Sequence, residues 1–155
     1  MPTTKLTEFL DASGVEYSTI RHDPVYTAQE LASATHVAGR DVAKAVVVSI
    51  DGKAALAVVP SPSKVDLQRI RDITGAKDAS LLTEQEFAGR FTECELGAMP
   101  PFGNLYGMDT YVDEKLAQDP DIVFNAGTHT EAVRMAYDDF ARCVKPKVAR
   151  LTLGA

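Results

Sequence analysis

The sequence is short of the features that mark the commoner specialised classes. Among its 155 residues only Cys94 and Cys143 are cysteines. That is too few for a disulfide framework, and two reduced thiols of a cytoplasmic protein are expected. No apolar run approaches the roughly 18 residues of a membrane span. The opening Met1-Pro2-Thr3-Thr4-Lys5 leads into a polar amphipathic stretch without the apolar core of a signal peptide. Basic charge is not in excess: 16 Lys and Arg against 22 Asp and Glu give a net charge of −6. Holding duplex DNA by bulk charge is thereby excluded. Linkers, low-complexity tracts and internal repeats are missing, so one domain over residues 1–155 is expected. G-x-S-x-G, Walker A, C-x-x-C and H-E-x-x-H patterns are all absent. The three histidines, His22, His36 and His129, are scattered, and neither a metal nor an organic cofactor is expected.

What is present is a globular composition, 45% hydrophobic and 25% charged, long enough for one real core. Leu6, Phe9 and Leu10 stand at helical spacing before a C-capping Gly14. Residues 15–20 alternate as a strand, and Thr27-Ala28-Gln29-Glu30 is a capping box opening a short Ala-rich helix. Two apolar, β-branched runs, 45–50 and 54–59, flank Asp51-Gly52, a two-residue turn suited to positive φ, and predict an antiparallel hairpin. Leu67, Ile70 and Ile73 predict a helix ended by Gly75. Thr83-Glu84-Gln85-Glu86 opens another, with Leu82 and Phe87 placed as a hydrophobic staple. Short strands are expected at 105–106, 110–112, 122–124 and 132–135, with 125–129 linking the last two. A final helix carries Ala136, Phe140 and Val144, and a strand at 148–153 closes the chain. This order predicts an α+β domain: a mixed, largely antiparallel, curved sheet with packed helices.

Three places carry candidate chemistry. Lys44 enters the apolar strand at 45–50. It is either a solvated lysine at a strand end or an ammonium aimed at a phosphate or a developing oxyanion. The run Gly97-Ala98-Met99-Pro100-Pro101-Phe102-Gly103 cannot be helix. It is either a rigid connector, with a prolyl bond of either isomer, or a wall presenting the N–H groups of Gly97, Ala98 and Gly103 beside an apolar Phe102. Gly127-Thr128-His129 lies between two short strands, where a glycine permits close approach and the other two offer hydrogen bonds.

Together these features resemble the YbaK/prolyl-tRNA synthetase-associated domain family, over nearly the whole chain. The most specific part is Glu95-Leu96-Gly97-Ala98-Met99-Pro100-Pro101-Phe102-Gly103 followed by Tyr106-Gly107, similar to the free-standing subgroup that clears Ser- and Thr-charged tRNA. The resemblance implies a curved-sheet domain with a pocket at one end. It also implies hydrolysis of the ester between a wrong amino acid and the terminal adenosine of tRNA. By motif position Lys44 matches the family's functional lysine, residues 97–103 its glycine loop and 127–129 its second loop, while Thr27, after Pro24-Val25-Tyr26, falls at the pocket wall.

An aminoacyl ester is already activated, so the chemistry needs a positioned water and a stabilised oxyanion rather than a covalent nucleophile. Lys44 would anchor the terminal phosphate or ribose, the glycine loop would supply N–H groups, and His129 would position substrate. The acidic chain need grip only the acceptor end of a mischarged tRNA, for which Lys44, Lys64 and Arg40 are the candidate cations, and a synthetase or an elongation factor could share that tRNA. Discrimination would be steric, admitting Ser, Thr or Ala. Two alternatives stay open at this point: a non-catalytic module that binds aminoacyl-tRNA or a synthetase, and a hydrolase of small aminoacyl esters.

Overall fold

The computed structural model describes residues 4–25, 27–91, 94–95 and 97–153; Tyr26 and Leu96, both part of the expected motifs, lie outside the described residues. The elements are α1 (Thr4–Ser13), β1 (Tyr17–Arg21), α2 (Ala28–Thr35), β2 (Ala43–Ile50), β3 (Lys53–Pro60), α3 (Leu67–Thr74), β4 (Ala79–Leu81), α4 (Glu84–Phe87), β5 (Asp109–Asp113), α5 (Glu114–Ala117), β6 (Asp121–Thr128), β7 (Glu131–Ala136), α6 (Tyr137–Val144) and β8 (Lys147–Ala149).

Local chemistry accounts for most of these limits. Asp51 and Gly52 both take positive φ, +50° and +85°, as the mirror-image hairpin turn requires. The Asp51 carboxylate then accepts the backbone N–H groups of Lys77 and Asp78 at 3.0 and 2.9 Å, fastening the turn to the segment before β4. Thr27, Asp66 and Thr83 cap α2, α3 and α4 through side-chain oxygens, and the Thr83–Glu86 box is complete. Gly75 at φ +72° ends α3, while α2 is ended by His36 in the same left-handed region, at φ +57°. That histidine is a helix terminator.

The strands form a five-stranded sheet, β4-β2-β3-β5-β8, and a three-stranded sheet, β1-β7-β6. The pairs β3–β5 and β5–β8 are parallel, and the remaining strand pairs are antiparallel. The sheet is thus mixed and largely antiparallel as expected, but it divides in two, tied by a single parallel bridge between Val42 and Val123. Alternation along β2 sorts its side chains between clusters. Ala43, Ala45 and Val47 join Leu56, Val58, Val112, Phe124 and Phe140 in the largest core. Val46, Val48 and Ile50 pack on the other face with Ile70 of α3. Val42 joins Val25, Leu31 and Val123 under α2. Lys44 therefore projects from the face of Val42 and Val46, between the ground covered by α2 and that covered by α3.

Several boundaries depart from the sequence reading. The strand expected at 105–106 is a single 3₁₀ turn, Gly103–Leu105, because the N–H groups of Tyr106 and Met108 both turn back to the Gly103 carbonyl. Residues 125–128 are not a linker but the end of β6, broken by a bulge before Thr128; His129 and Thr130 make the turn. The first strand begins at Tyr17, with Val15 buried ahead of it. The last is only Lys147–Ala149, followed by a bridge from Thr152 to Val65. β4 and α5, of three and four residues, are too short to leave a periodic signal.

The closing segment is held by a buried carboxylate. Asp113 is 0% exposed; one oxygen accepts the Leu151 N–H at 2.7 Å and the other the Lys115 N–H at 3.1 Å. Replacing Asp113 with Ala should leave both donors unmatched and lower stability by about 2–4 kcal/mol, read as a fall in the urea midpoint with an unchanged slope.

Candidate functional site

The site is built on an edge that the sheet leaves open. Away from β3 and among the described residues, the chain meets β6 at the Val42–Val123 bridge just before β2, and β2 meets β4 at Val48–Ile50, with the Leu82 N–H on the Val47 carbonyl. Along positions 43–46 no described strand pairs with it, and Lys44 stands in that stretch. Beyond the bridge β6 turns to another partner. The Gly127 N–H donates to the Ala98 carbonyl and the Gly127 carbonyl accepts from the Glu95 N–H, both at 2.8 Å. The loop from 94 to 103 is thus zipped onto the β6 bulge.

Lys44 is part-buried, and its Nζ donates to the Ser61 carbonyl at 3.2 Å. Burial, and then the Lys64 cation, lower its pKa from the ordinary lysine value. A partly dehydrated ammonium with one neutral acceptor has donors to spare for an anion. Ser61 is itself buried and fixed, its hydroxyl donating to the Gly39 carbonyl at 2.9 Å. A cavity of about 620 Å³ flanks it, lined by Arg40, Asp41, Pro60, Ser63, Lys115 and Asp119 among others. Arg40 is thereby placed beside the Lys44 end of β2.

The glycine-proline loop is mostly interior. Ala98, Met99, Pro100, Pro101, Phe102 and Gly103 are buried, and of residues 97–103 only Gly97 is exposed. Both prolyl bonds are trans. Phe102 is not a stacking surface for a ligand: it is 0% exposed and packs on Phe9, Phe124 and Phe140, with ring centroids 5.4–6.0 Å away. Nor do the expected N–H groups stand open. Gly103 donates to Thr110 Oγ1 at 3.1 Å and Ala98 to the Glu95 carbonyl at 3.0 Å. Gly97 donates to the Met99 sulfur at 3.1 Å, a weak acceptor and the only one of the three that a ligand oxygen would readily displace. Gly97 also sits at φ +86°, where a side chain is strained.

His129 lies directly beside Gly97: a Cβ on Gly97 would come within 3.5 Å of the His129 Cε1. Its backbone N–H donates to Glu95 Oε1 at 3.0 Å, and its carbonyl accepts from the Val25 N–H at 3.0 Å. The ring Nδ1 is 3.0 Å from the Val25 carbonyl. A carbonyl only accepts, so Nδ1 carries the proton and Nε2 is the acceptor nitrogen of the neutral ring. Thr27, two residues on, is the N-cap of α2, its hydroxyl accepting from the Glu30 N–H at 3.0 Å. Thr128 turns its hydroxyl to Glu131 and Thr130 at 3.5 Å. Gly97, Gly127, His129 and, through Val25, Thr27 are therefore one group. Lys44 bonds away from it, to Ser61, and is joined to it through the Val42–Val123 bridge. The residue the sequence reading passed over is Glu95, which it quoted in the motif without a task. Two of its groups, the N–H on the Gly127 carbonyl and the carboxylate under the His129 N–H, hold the loop to the turn, while its carbonyl accepts from Ala98 within the loop.

The mixed α+β fold is that of an aminoacyl-tRNA editing domain. The family model of that description matches residues 22–143, and the chain belongs to the aminoacyl-tRNA editing domain family. A curated relative, the prolyl-tRNA editing protein ProX of Acetoanaerobium sticklandii, is 25% identical over 143 residues, covering 88% of this chain and 86% of that protein. Among solved structures, a proposed trans-editing enzyme for prolyl tRNA synthetase superposes with a TM-score of 0.84 at 22% identity, covering 97% and 96% of the two chains. A hypothetical protein, APE2540, does so at 0.86 and 18% identity, over 96% and 99%. These two likenesses establish the fold.

Two predictions follow from this geometry. A Cβ on Gly103 would overlap Thr110 Oγ1 and stand 2.6 Å from the Met108 carbonyl oxygen; Gly103→Ala should cost about 1–3 kcal/mol, seen as a lowered melting midpoint. The second concerns Asp119, whose carboxyl is pushed up to about 6 by burial and then by the facing Asp41, against the pull of Arg40. Its folded pKa is above the ordinary value of 3.8, so the native state holds the proton more tightly and its stability falls as pH rises from about 4 through 6. Asp119→Asn should raise stability at pH 8 by no more than about 1 kcal/mol after solvent screening, read as a raised melting midpoint. That gain should shrink toward pH 4, and equal gains at both pH values would contradict the assignment.

Proposed function

We propose that the chain, acting as one domain over residues 1–155, is a trans-acting aminoacyl-tRNA deacylase of the cytoplasm. It hydrolyses the ester that joins a small, wrong amino acid (Ser, Thr or Ala) to the 3′ end of a tRNA. The observation that carries this reading is the partly dehydrated Lys44 ammonium at the unpaired edge of β2, in a member of the editing family. In the reaction, Lys44 anchors the terminal phosphate or ribose. Gly97 N–H exchanges its sulfur acceptor for the oxyanion, and His129 Nε2 accepts from the substrate or from the attacking water. Water adds to the ester carbonyl, the bond to the ribose oxygen breaks, and that oxygen leaves as a hydroxyl, taking up a proton. No cofactor enters. Arg40, Lys64 and Lys115 would meet the acceptor strand. This local basic rim suits an acidic protein that grips only an end of the tRNA and shares it with a synthetase or an elongation factor.

The relative's name makes tRNA for proline the first to try. Ala and Ser are both smaller than proline, so a pocket sized for them excludes the correct residue by bulk, and one methylene is worth only about 1–3 kcal/mol of preference. A panel of tRNAs mischarged with Ser, Thr, Ala or Cys identifies the substrate. Lys44→Met keeps the apolar stem and removes the charge. Release from the preferred tRNA should fall on the order of 10²-fold, with stability, read from the melting midpoint, changed by less than about 0.5 kcal/mol. An unchanged rate on a folded variant would reject the role given to Lys44, and binding without turnover by the wild type would favour a non-catalytic module.

A further inference from the structure

One buried polar atom near the unpaired edge has no task in the scheme above. The side-chain oxygen of Asn125 is buried, and none of the described groups donates to it. Asn125 lies on β6 two residues beyond Val123, as Lys44 lies on β2 two residues beyond Val42, the bridged pair. The faces agree as well. Val42 and Val123 share the cluster under α2, whereas Ile122, Phe124 and Ala126, alternating with Asn125, point into the main core. Lys44 and Asn125 therefore project from the same face of two parallel strands at the point where those strands part. The ladder from β6 to β7 holds at Asn125, opposite Ala132, and breaks immediately after it, at the bulge that carries Gly127. The amide is thus fixed one step from the residue that zips the glycine loop in place.

An acceptor buried without a donor is destabilising by itself, and at Asn125, beside Lys44 and the glycine loop, a ligand donor can complete it. The two side chains are complementary: Lys44 offers only donors, and the Asn125 oxygen only accepts. The phosphate and ester carbonyl of an aminoacylated tRNA end suit the first. What suits the second is an N–H or O–H donor of the same end, which the aminoacyl-ribose carries as its α-ammonium and as the free hydroxyl vicinal to the ester.

We propose that Asn125 is a substrate-binding residue, its side-chain oxygen accepting a hydrogen bond from a donor of the aminoacyl-ribose end while Lys44 holds an acceptor of that end. This rests on the deacylase reading and extends it to a residue outside the recognised motif positions.

The test compares wild type, Asn125→Leu and Asn125→Asp on tRNA charged with Ser or Ala, measuring kcat/KM and melting midpoint together. Leu fills the same space without an acceptor, so its kcat/KM should fall 10- to 100-fold while the midpoint stays or rises, because an unmatched polar atom has been removed. Asp keeps an acceptor oxygen and should retain more activity than Leu. Two altered ends then identify the donor, each scored by its inhibition constant against Ser-charged tRNA: one lacking the α-amino group and one lacking the free ribose hydroxyl. The end that lacks the bonded donor should inhibit wild type and Asn125→Leu equally. An Asn125→Leu variant as active as an active wild type overturns the proposal. So does one whose midpoint collapses along with its rate while Asp restores neither, and so do two altered ends that both preserve the full difference. A wild type that deacylates none of the charged tRNAs overturns the deacylase reading itself, a result distinct from each of these.

Discussion

The structure turns on one interrupted ladder. β2 is paired along its whole length with β3, but on the other edge, among the described residues, the chain meets β6 at Val42 just before β2, and β2 meets β4 at Val48–Ile50. Backbone groups cannot be left dry, so the stretch between must either face water or be covered by irregular chain that satisfies its own groups. The loop from 94 to 103 is held to β6 instead, Glu95 and Ala98 bonding the two backbone groups of Gly127 at the bulge. Its prolines and Phe102 sink into the main core, which makes the loop a rigid wall rather than a flap. The same zipper puts Gly97 against His129 and gives the histidine ring a single tautomer through the Val25 carbonyl. Cation, glycine and histidine thus stand along the line where β2 and β6 part.

Where a feature depended on neighbours in sequence, the chain was readable. Asp51-Gly52 announced the hairpin, Thr27 and Thr83 announced helix starts, and Gly75 announced a stop; each works through bonds spanning a few residues. The family-level reading was carried by Lys44, the 97–103 run and the 127–129 turn. What could not be read was burial within that run. A string of glycine, proline and phenylalanine looks like an exposed ligand wall whether or not an aromatic cluster of Phe9, Phe124 and Phe140 waits to receive it. The same applies to Gly103, needed for its closeness to Thr110 and Met108, seven and five positions on. Glu95 and Asn125 were overlooked because their value lies in partners tens of residues away, or in having none.

Stability and function are set against each other in a small region. The Lys44 ammonium is drawn partly out of water, the Asp119 carboxyl is held with its pKa near 6, and the glycines at 97 and 127 adopt φ values of +86° and +96°. Asp113, by contrast, spends its burial entirely on backbone donors, and the main core around Phe102, Phe124 and Phe140 is dry and aromatic. Asp113 is matched to protein partners, whereas the Lys44 ammonium has one neutral acceptor and the Asn125 oxygen is one of several buried polar atoms, with His22 Nε2, Arg69 Nε and Tyr137 OH, that no described group completes.

The bond between the His129 ring and the Val25 carbonyl joins residues 104 positions apart, and this has a kinetic meaning. The β2–β3 hairpin closes a loop of two residues, so it can nucleate early and locally. The contact between residues 25 and 129 extends the long-range pairing of β1 with β7, from Tyr17 with Met135 to Arg21 with Glu131, whose closure entropy must be met before any reward returns. The arrangement around Gly97 therefore waits on that long-range pairing, as the hairpin does not. The amide protons of Val25 and His129 would then exchange with solvent ahead of those in the hairpin, from states in which β2 and β3 stay paired while Gly97 and His129 have separated.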